Sequence, residues 1–157
     1  MLPIQTILHP TDFSGHSGYA FPLACSLARE RGARLIVVHV MPVLLVEEKR
    51  FYREEMAGKL NRLGAPDCRF RVEHRLEEGD AATQILRVAQ DTACDLIVMG
   101  THGNTGLGRF LMGSVAEQVL RGAACPVLTV RAPFPLAKPR GVRATDEAER
   151  GTEAAKT

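Results

Sequence analysis

Tryptophan is absent from the 157 residues, tyrosine occurs twice and phenylalanine six times. So few aromatics leave nothing on which to stack a row of bases. Net charge is only +2, with no basic run, so there is no surface for a phosphate backbone either. Both absences argue against nucleic acid as a partner. No apolar run approaches the roughly 20 residues that a membrane span needs. The opening residues MLPIQTIL lack a basic stretch followed by an apolar one, so no secretory signal is expected and the expected location is cytoplasmic. The cysteines, Cys25, Cys68, Cys94 and Cys125, form no C-x-x-C pair. Soft ligands so far apart predict no metal site, and free thiols in a reducing cytosol are the expectation.

What is present is a core. Apolar residues are 45% of the chain, and the length suits one domain. Short apolar runs cover residues 4–9, 35–40, 70–74, 96–100 and 127–130. Three are near-continuous aliphatic stretches, as in strands buried on both faces of a parallel sheet. RFRVEHR instead alternates and reads as a half-exposed edge strand.

Helical patterns separate these runs. Ser14 suits the N-cap of the first, with Ala20, Leu23, Ala24, Leu27 and Ala28 on its inner stripe and Gly32 at its end. Pro22 inside it predicts either a kink or a delayed start. A second helix is expected over residues 46–63, with Tyr52, Met56, Leu60 and Leu63 facing inward. Asp80 caps a third, whose stripe is Ala82, Ile85, Leu86 and Ala89. A fourth opens at Gly113 and Ser114, buries Val115, Val119 and Leu120 and stops at Gly122. Strand–helix alternation of this kind predicts an α/β parallel sheet with helices on both faces. The pattern ends near residue 132; residues 133–157 mix Pro, Gly, Ala and both charges, and are expected to be a disordered tail.

Two segments leave strand ends with unusual chemistry: HPTDFS after the first strand, and MGTHGNTGLGRFLMGS after the fourth. In open parallel sheets, ligands bind at the carboxyl ends of the strands, where the winding direction reverses. Glycines there let main-chain N–H groups approach an oxyanion, and a helix opening at Ser114 offers free amides and a favourable dipole. Ser114, Thr101 and Thr105 add hydroxyls, and Arg109 is either a phosphate partner or a solvated charge. No Lys follows any glycine of the loop, so it is no Walker loop. GNTGLG has the wrong glycine order, and follows the wrong strand, for a dinucleotide fingerprint.

The pattern Gly100-x2-Gly103-x9-Gly113-Ser114, together with ILHPTDFS, VVHVMPV and DLIVMG…CPVLTVR, resembles the nucleotide-binding branch of the universal stress protein family. The resemblance covers nearly all of residues 1–132. It implies an open five-stranded parallel sheet of order 3-2-1-4-5, the adenine nucleotide alpha hydrolase-like arrangement, which sets the first and fourth strands side by side. It also implies ATP as ligand. Pro10, Thr11 and Asp12 would line the adenosine, with Asp12 accepting from ribose hydroxyls. The backbone of Val40 would meet the adenine edge. Gly100, Thr101, His102 and Gly103 would begin the phosphate loop, Asn104, Thr105 and Gly106 would continue it, and Gly113, Ser114 and Val115 would end it. Family loops often carry a basic residue where this chain has Asn104, so AMP or ADP would bind comparably to ATP. Mg would be held through the phosphates. The family pairs its last strand with a twin, which implies a homodimer through the strand from Val127 to Arg131.

Plainer readings stand beside these. Asp12 could merely cap the first helix, the glycines could be turn residues, and His102 is read as ordering the loop rather than catalysing. His9 and His39 read as core histidines and Cys125 as small-residue packing. A regulatory, nucleotide-binding stress-response protein is the leading expectation. A slow ATPase or phosphotransferase and a nucleotide-free interaction module are the alternatives.

Overall fold

The computed structural model describes residues 3–64, 70–101 and 112–131. Among them, strands and helices alternate: β1 (Thr6–Pro10), α1 (Gly15–Arg31), β2 (Arg34–Met41), α2 (Val46–Arg62), β3 (Val72–Glu78), α3 (Ala81–Asp91), β4 (Leu96–Gly100), α4 (Ser114–Gly122) and β5 (Val127–Val130). All pairings are parallel, and the sheet order is β3-β2-β1-β4-β5.

Successive strand residues face opposite sides, which splits the core in two. Ile7, Leu35, Val37 and Val98 pack under Ala20, Ala24 and Ala28 of α1 and Leu60 of α2. Leu8, Ile36, Val38, Ile97 and Met99 pack under Ile85 and Val88 of α3 and Val119 of α4. The alanine stripe of α1 lets that helix lie close on the sheet; Leu23 and Leu27, expected on the same stripe, sit at its half-buried margins.

The caps follow the sequence. The Ser14 hydroxyl accepts from the Ser17 amide at 3.3 Å, and the Asp80 carboxylate accepts from the Thr83 amide at 2.9 Å. Gly32 closes α1 at φ 64°. Other expectations shift. β1 begins at Thr6 rather than residue 4, because the Asp95 carboxylate takes the amides of both Gln5 and Thr6 at 2.9 Å. Pro22 does not delay α1, which is already helical at Gly15. Pro22 and Gly18, whose carbonyl loses its usual donor, both lie on the exposed face where water can serve. Leu120 is 47% exposed rather than buried, because the inward stripe of α4 is Ala116 and Val119 and the next residue turns away from it.

The two sheet edges differ. β3 is half-buried throughout and studded with charge, including Glu73 bound to Arg75 at 2.8 Å and Glu77 bound to Arg87 at 2.7 Å. Such charges discourage pairing with another chain. β5, VLTV, carries none.

Two non-glycine residues, Phe13 and Ala93, hold a positive φ. Ala93 has φ 47°, in the left-handed region. Its amide donates to Gln90 O and the next amide, Cys94, donates to Ala89 O, both at 3.0 Å, closing α3 in a Schellman turn that glycine usually makes. Ala93→Gly should therefore raise stability by about 0.5–1 kcal/mol, or a Tm increase of roughly 2–4 °C. A calorimetric scan showing a lower Tm would contradict this reading of the turn.

Candidate nucleotide site at the strand switch point

The winding direction reverses at β1: the chain runs from β1 outward to β2 and β3, then crosses back to β4 on the other side of β1. Its pairing with β4 stops at Leu8↔Ile97. In a continued parallel ladder the amide of residue 10 would donate to Val98 O, but Pro10 has no amide. The His9 ring takes its place: Nδ1 donates to Val98 O at 2.9 Å. The ring is fully buried, beside Phe21 at 5.5 Å. Burial lowers the His9 pKa to about 4, so the imidazole is neutral with its proton on Nδ1. Proline ends the ladder, histidine satisfies the freed carbonyl, and the two strands part.

A cavity of about 280 Å³ opens at this point. Pro10, Thr11 and Asp12 form one wall. Val38, His39 and Val40 of β2 and Ala81 and Ile85 of α3 form another. Met99, Gly100 and Thr101 close it from β4, and residues 113–116 from α4. Of the residues singled out in the sequence, Pro10, Thr11, Asp12, Val40, Gly100, Thr101, Gly113, Ser114 and Val115 are thus brought around one space. His102, Gly103, Asn104, Thr105, Gly106 and Arg109 lie outside the described residues.

Several of these residues also carry scaffold contacts that the sequence did not announce. Thr11 is fully engaged as scaffold. Its amide donates to Val38 O at 2.9 Å, its carbonyl accepts from His39 Nδ1 at 2.8 Å, and its hydroxyl bonds Ser17 Oγ at 3.1 Å. Burial also lowers the His39 pKa, leaving that ring neutral. Asp12 shares its duties: Oδ1 accepts the Ser14 amide at 3.0 Å, shaping the entry to α1, while the residue lines the cavity. Phe13 between them holds φ 61°, and its ring lies tilted against the His39 ring with centroids 4.6 Å apart.

Gly100 is glycine for packing. A Cβ there would lie 2.8 Å from the backbone carbonyl oxygen of His16, so the end of β4 needs this position bare to approach α1. Two amides beside the cavity are spent inside the protein: Thr101 N donates to Val130 O at 3.1 Å and Gly113 N to Thr101 O at 2.7 Å. What remains is the first turn of α4. Gly113 is its N-cap and supplies no capping side chain, so the amides of Ser114, Val115 and Ala116 have no intrahelical acceptor. These residues line the cavity.

Val40 supplies a second open edge. Alternate residues of a parallel strand direct both N–H and C=O to the same neighbour. Arg34 donates to Gln5 O, and Val38 O accepts from Thr11, so even-numbered residues of β2 face β1. β1 has ended by the level of Val40, so a donor and an acceptor point into the cavity mouth. The described lining residues include no Lys or Arg and one carboxylate, Asp12. Sequence reasoning passed over Val38, Ala81, Ile85, Met99 and Ala116, the apolar walls. The signal for Ala81 and Ala116 was a small residue in the first turn of a helix beside the crevice.

Fold and cavity together define an open, doubly wound α/β domain with a ligand-sized crevice at its switch point. The family model of the universal stress protein family matches residues 3–131, and the chain belongs to that family. It is 35% identical over 142 residues to universal stress protein MJ0531 of Methanocaldococcus jannaschii, covering 82% of this chain and 83% of that one. A Thermus aquaticus universal stress protein is 36% identical over 139 residues, covering 81% and 98%. Among solved structures, the hypothetical protein MJ0577, determined to assign its biochemical function, superposes with a TM-score of 0.69 at 28% identity, covering 85% of this chain and 99% of that one. A universal stress protein in complex with cAMP shares the fold at 24% identity and a TM-score of 0.59, covering 80% and 96%. No helix among the described residues is long and apolar enough to cross a membrane.

Proposed function

We propose that the crevice binds an adenine nucleotide, ATP with ADP and AMP as competitors, and that occupancy sets the conformation or assembly of a regulatory stress-response protein. The observation that carries this reading is the pairing in one cavity of two main-chain edges that have no partner among the described residues. The uncapped turn of α4 suits a phosphate through its amides and dipole, and the Val40 edge suits a base with adjacent donor and acceptor. Apolar Val38, Ile85 and Met99 between them suit the flat body of a nucleoside. A universal stress protein of this fold solved in complex with cAMP supports an adenine nucleotide as the ligand class. Mg would be carried by the phosphates, since the described cavity offers only Asp12 as an anionic ligand.

Dimerisation through β5 belongs to the same proposal. β5 is an edge strand without charge, Leu128 is 38% exposed on it and Leu120 of α4 is 47% exposed. A two-fold pairing of β5 edges would cover both.

Ser114→Pro tests the phosphate contact. Residue 114 is the first of α4, where proline is well accepted, and Gly113 has φ −60° and ψ 149°, which suits the residue before a proline. The substitution removes one amide and one hydroxyl without disturbing the helix. Calorimetric titration should show ATP affinity reduced tenfold or more, the scale of one bond to a charged group at about 1.5–3 kcal/mol, with Tm nearly unchanged. Ser114→Ala, losing the hydroxyl alone, should lose less. Equal ATP affinity in wild type and Ser114→Pro would move the phosphates elsewhere, and no binding in wild type would favour an interaction module.

A further inference from the structure

At the end of the sheet opposite the crevice, two cysteines meet. Cys94 Sγ lies 3.4 Å from Cys125 Sγ, across 31 residues of sequence. Both positions are fixed by backbone. The Schellman turn at Ala93 delivers Cys94 to the start of β4, with its amide on Ala89 O at 3.0 Å. The next residue, Asp95, is anchored by the amides of Gln5 and Thr6. Cys125 precedes Pro126, whose carbonyl accepts from Ile97 at 3.0 Å and locks the entry of β5 against β4. The thiols are therefore held together by two independent pieces of main chain rather than meeting as mobile side chains.

We propose that Cys94 and Cys125 form a peroxide-reactive dithiol, oxidised by hydrogen peroxide or a small organic hydroperoxide to an intramolecular disulfide. The two cysteines are not equivalent. Cys94 is 8% exposed, and Cys125 is the more open of the pair. Burial, with the neighbouring Cys125 thiol, pushes the Cys94 pKa up to about 12, so Cys94 stays a thiol. Cys125 is then the sulfur that the oxidant reaches. The Cys125 sulfur attacks the O–O bond, which breaks to give a sulfenic acid, and the departing hydroxide or alkoxide takes the proton the thiol gives up and leaves as water or an alcohol. The Cys94 sulfur attacks that sulfenic sulfur, the S–S bond forms, and hydroxide departs with the Cys94 proton as water. Two thiols lose two electrons and the peroxide gains them. Cys25 has no part in this: it is partly buried in α1, and burial pushes its pKa up to about 11.

Hydrogen peroxide treatment of the full chain, followed by non-reducing peptide mapping, tests the proposal. The expected result is a Cys94–Cys125 cross-linked peptide, loss of two hydrogen atoms in intact mass, and reversal by dithiothreitol. A cross-link over 31 residues should also raise Tm by roughly 5–10 °C. In Cys94→Ser, the Cys125 sulfenic acid should persist long enough to be trapped by dimedone, with no cross-link. Wild-type protein that remains reduced, that carries Cys125 to sulfinic acid, or that cross-links other cysteines would overturn the proposal. The peptide map of wild type decides this even if the serine variant folds poorly.

Discussion

Gly100→Val should destabilise the protein by about 3 kcal/mol and lower its Tm by roughly 10 °C. The first added carbon would sit 2.8 Å from the His16 carbonyl oxygen and 3.1 Å from its carbon. Both are backbone atoms in the first turn of α1, so no side chain can swing aside. The γ-methyls then push further, and β4 must move away from α1 and β5 together. Gly100→Ala should show the same sign at about 1–2 kcal/mol. Thermal unfolding followed by circular dichroism measures both. A valine variant within about 2 °C of wild type would mean that β4 and α1 are not packed as described.

Acid should weaken the fold well before its carboxylates titrate. The His9 pKa of about 4 lies below the value near 6.5 of an open imidazole. Between those values the unfolded chain holds the proton and the folded chain does not, so stability falls as pH drops through 6.5, keeps falling to about 4 and then levels. His9 alone should remove about 2 kcal/mol between pH 7.5 and 5. His39 adds a loss of the same sign, its pKa lowered chiefly by burial and also by Lys59; Asp12 pulls both rings the other way. Glu73 and Asp80, held below the usual carboxylate range by Arg75 and Thr83, contribute only at lower pH. Urea midpoints measured from pH 7.5 to 5 should fall steadily. A constant midpoint over that window would mean that His9 is neither buried nor bound to Val98.

The local grammar of the chain was plain in its sequence. Ser14, Gly32 and Asp80 act at short range, so their capping roles could be read from neighbours alone. Runs of aliphatic residues marked the buried strands, and the described ends of the two segments with unusual chemistry converge on one crevice. The roles that depended on distant partners were hidden. Nothing near Pro10 announces that His9 will reach across to Val98 in its stead. Gly100 was read as part of the ligand loop and does line the crevice, but no sign in the sequence showed that the His16 backbone also requires a glycine there. The amide of Gly113, at the helix opening expected to meet a phosphate, answers Thr101, and the amides without an intrahelical acceptor begin one residue later. Leu120 was placed inside because it completes an apolar pattern, and only the axis of α4 on the sheet decides which side of that pattern is buried. Cys94 and Cys125 are 31 positions apart, and their contact follows from β4 and β5 being neighbours.

The central claim is that main-chain groups at the mouth of the sheet hold the ligand. Titration of nitrogen-15-labelled protein with ATP and magnesium, followed by two-dimensional amide spectra, tests it most directly. The amides of Ser114, Val115 and Ala116 should shift together with that of Val40, along curves that share one dissociation constant. If those four signals stay in place at millimolar ATP while others move, or if none move, the crevice does not hold the nucleotide.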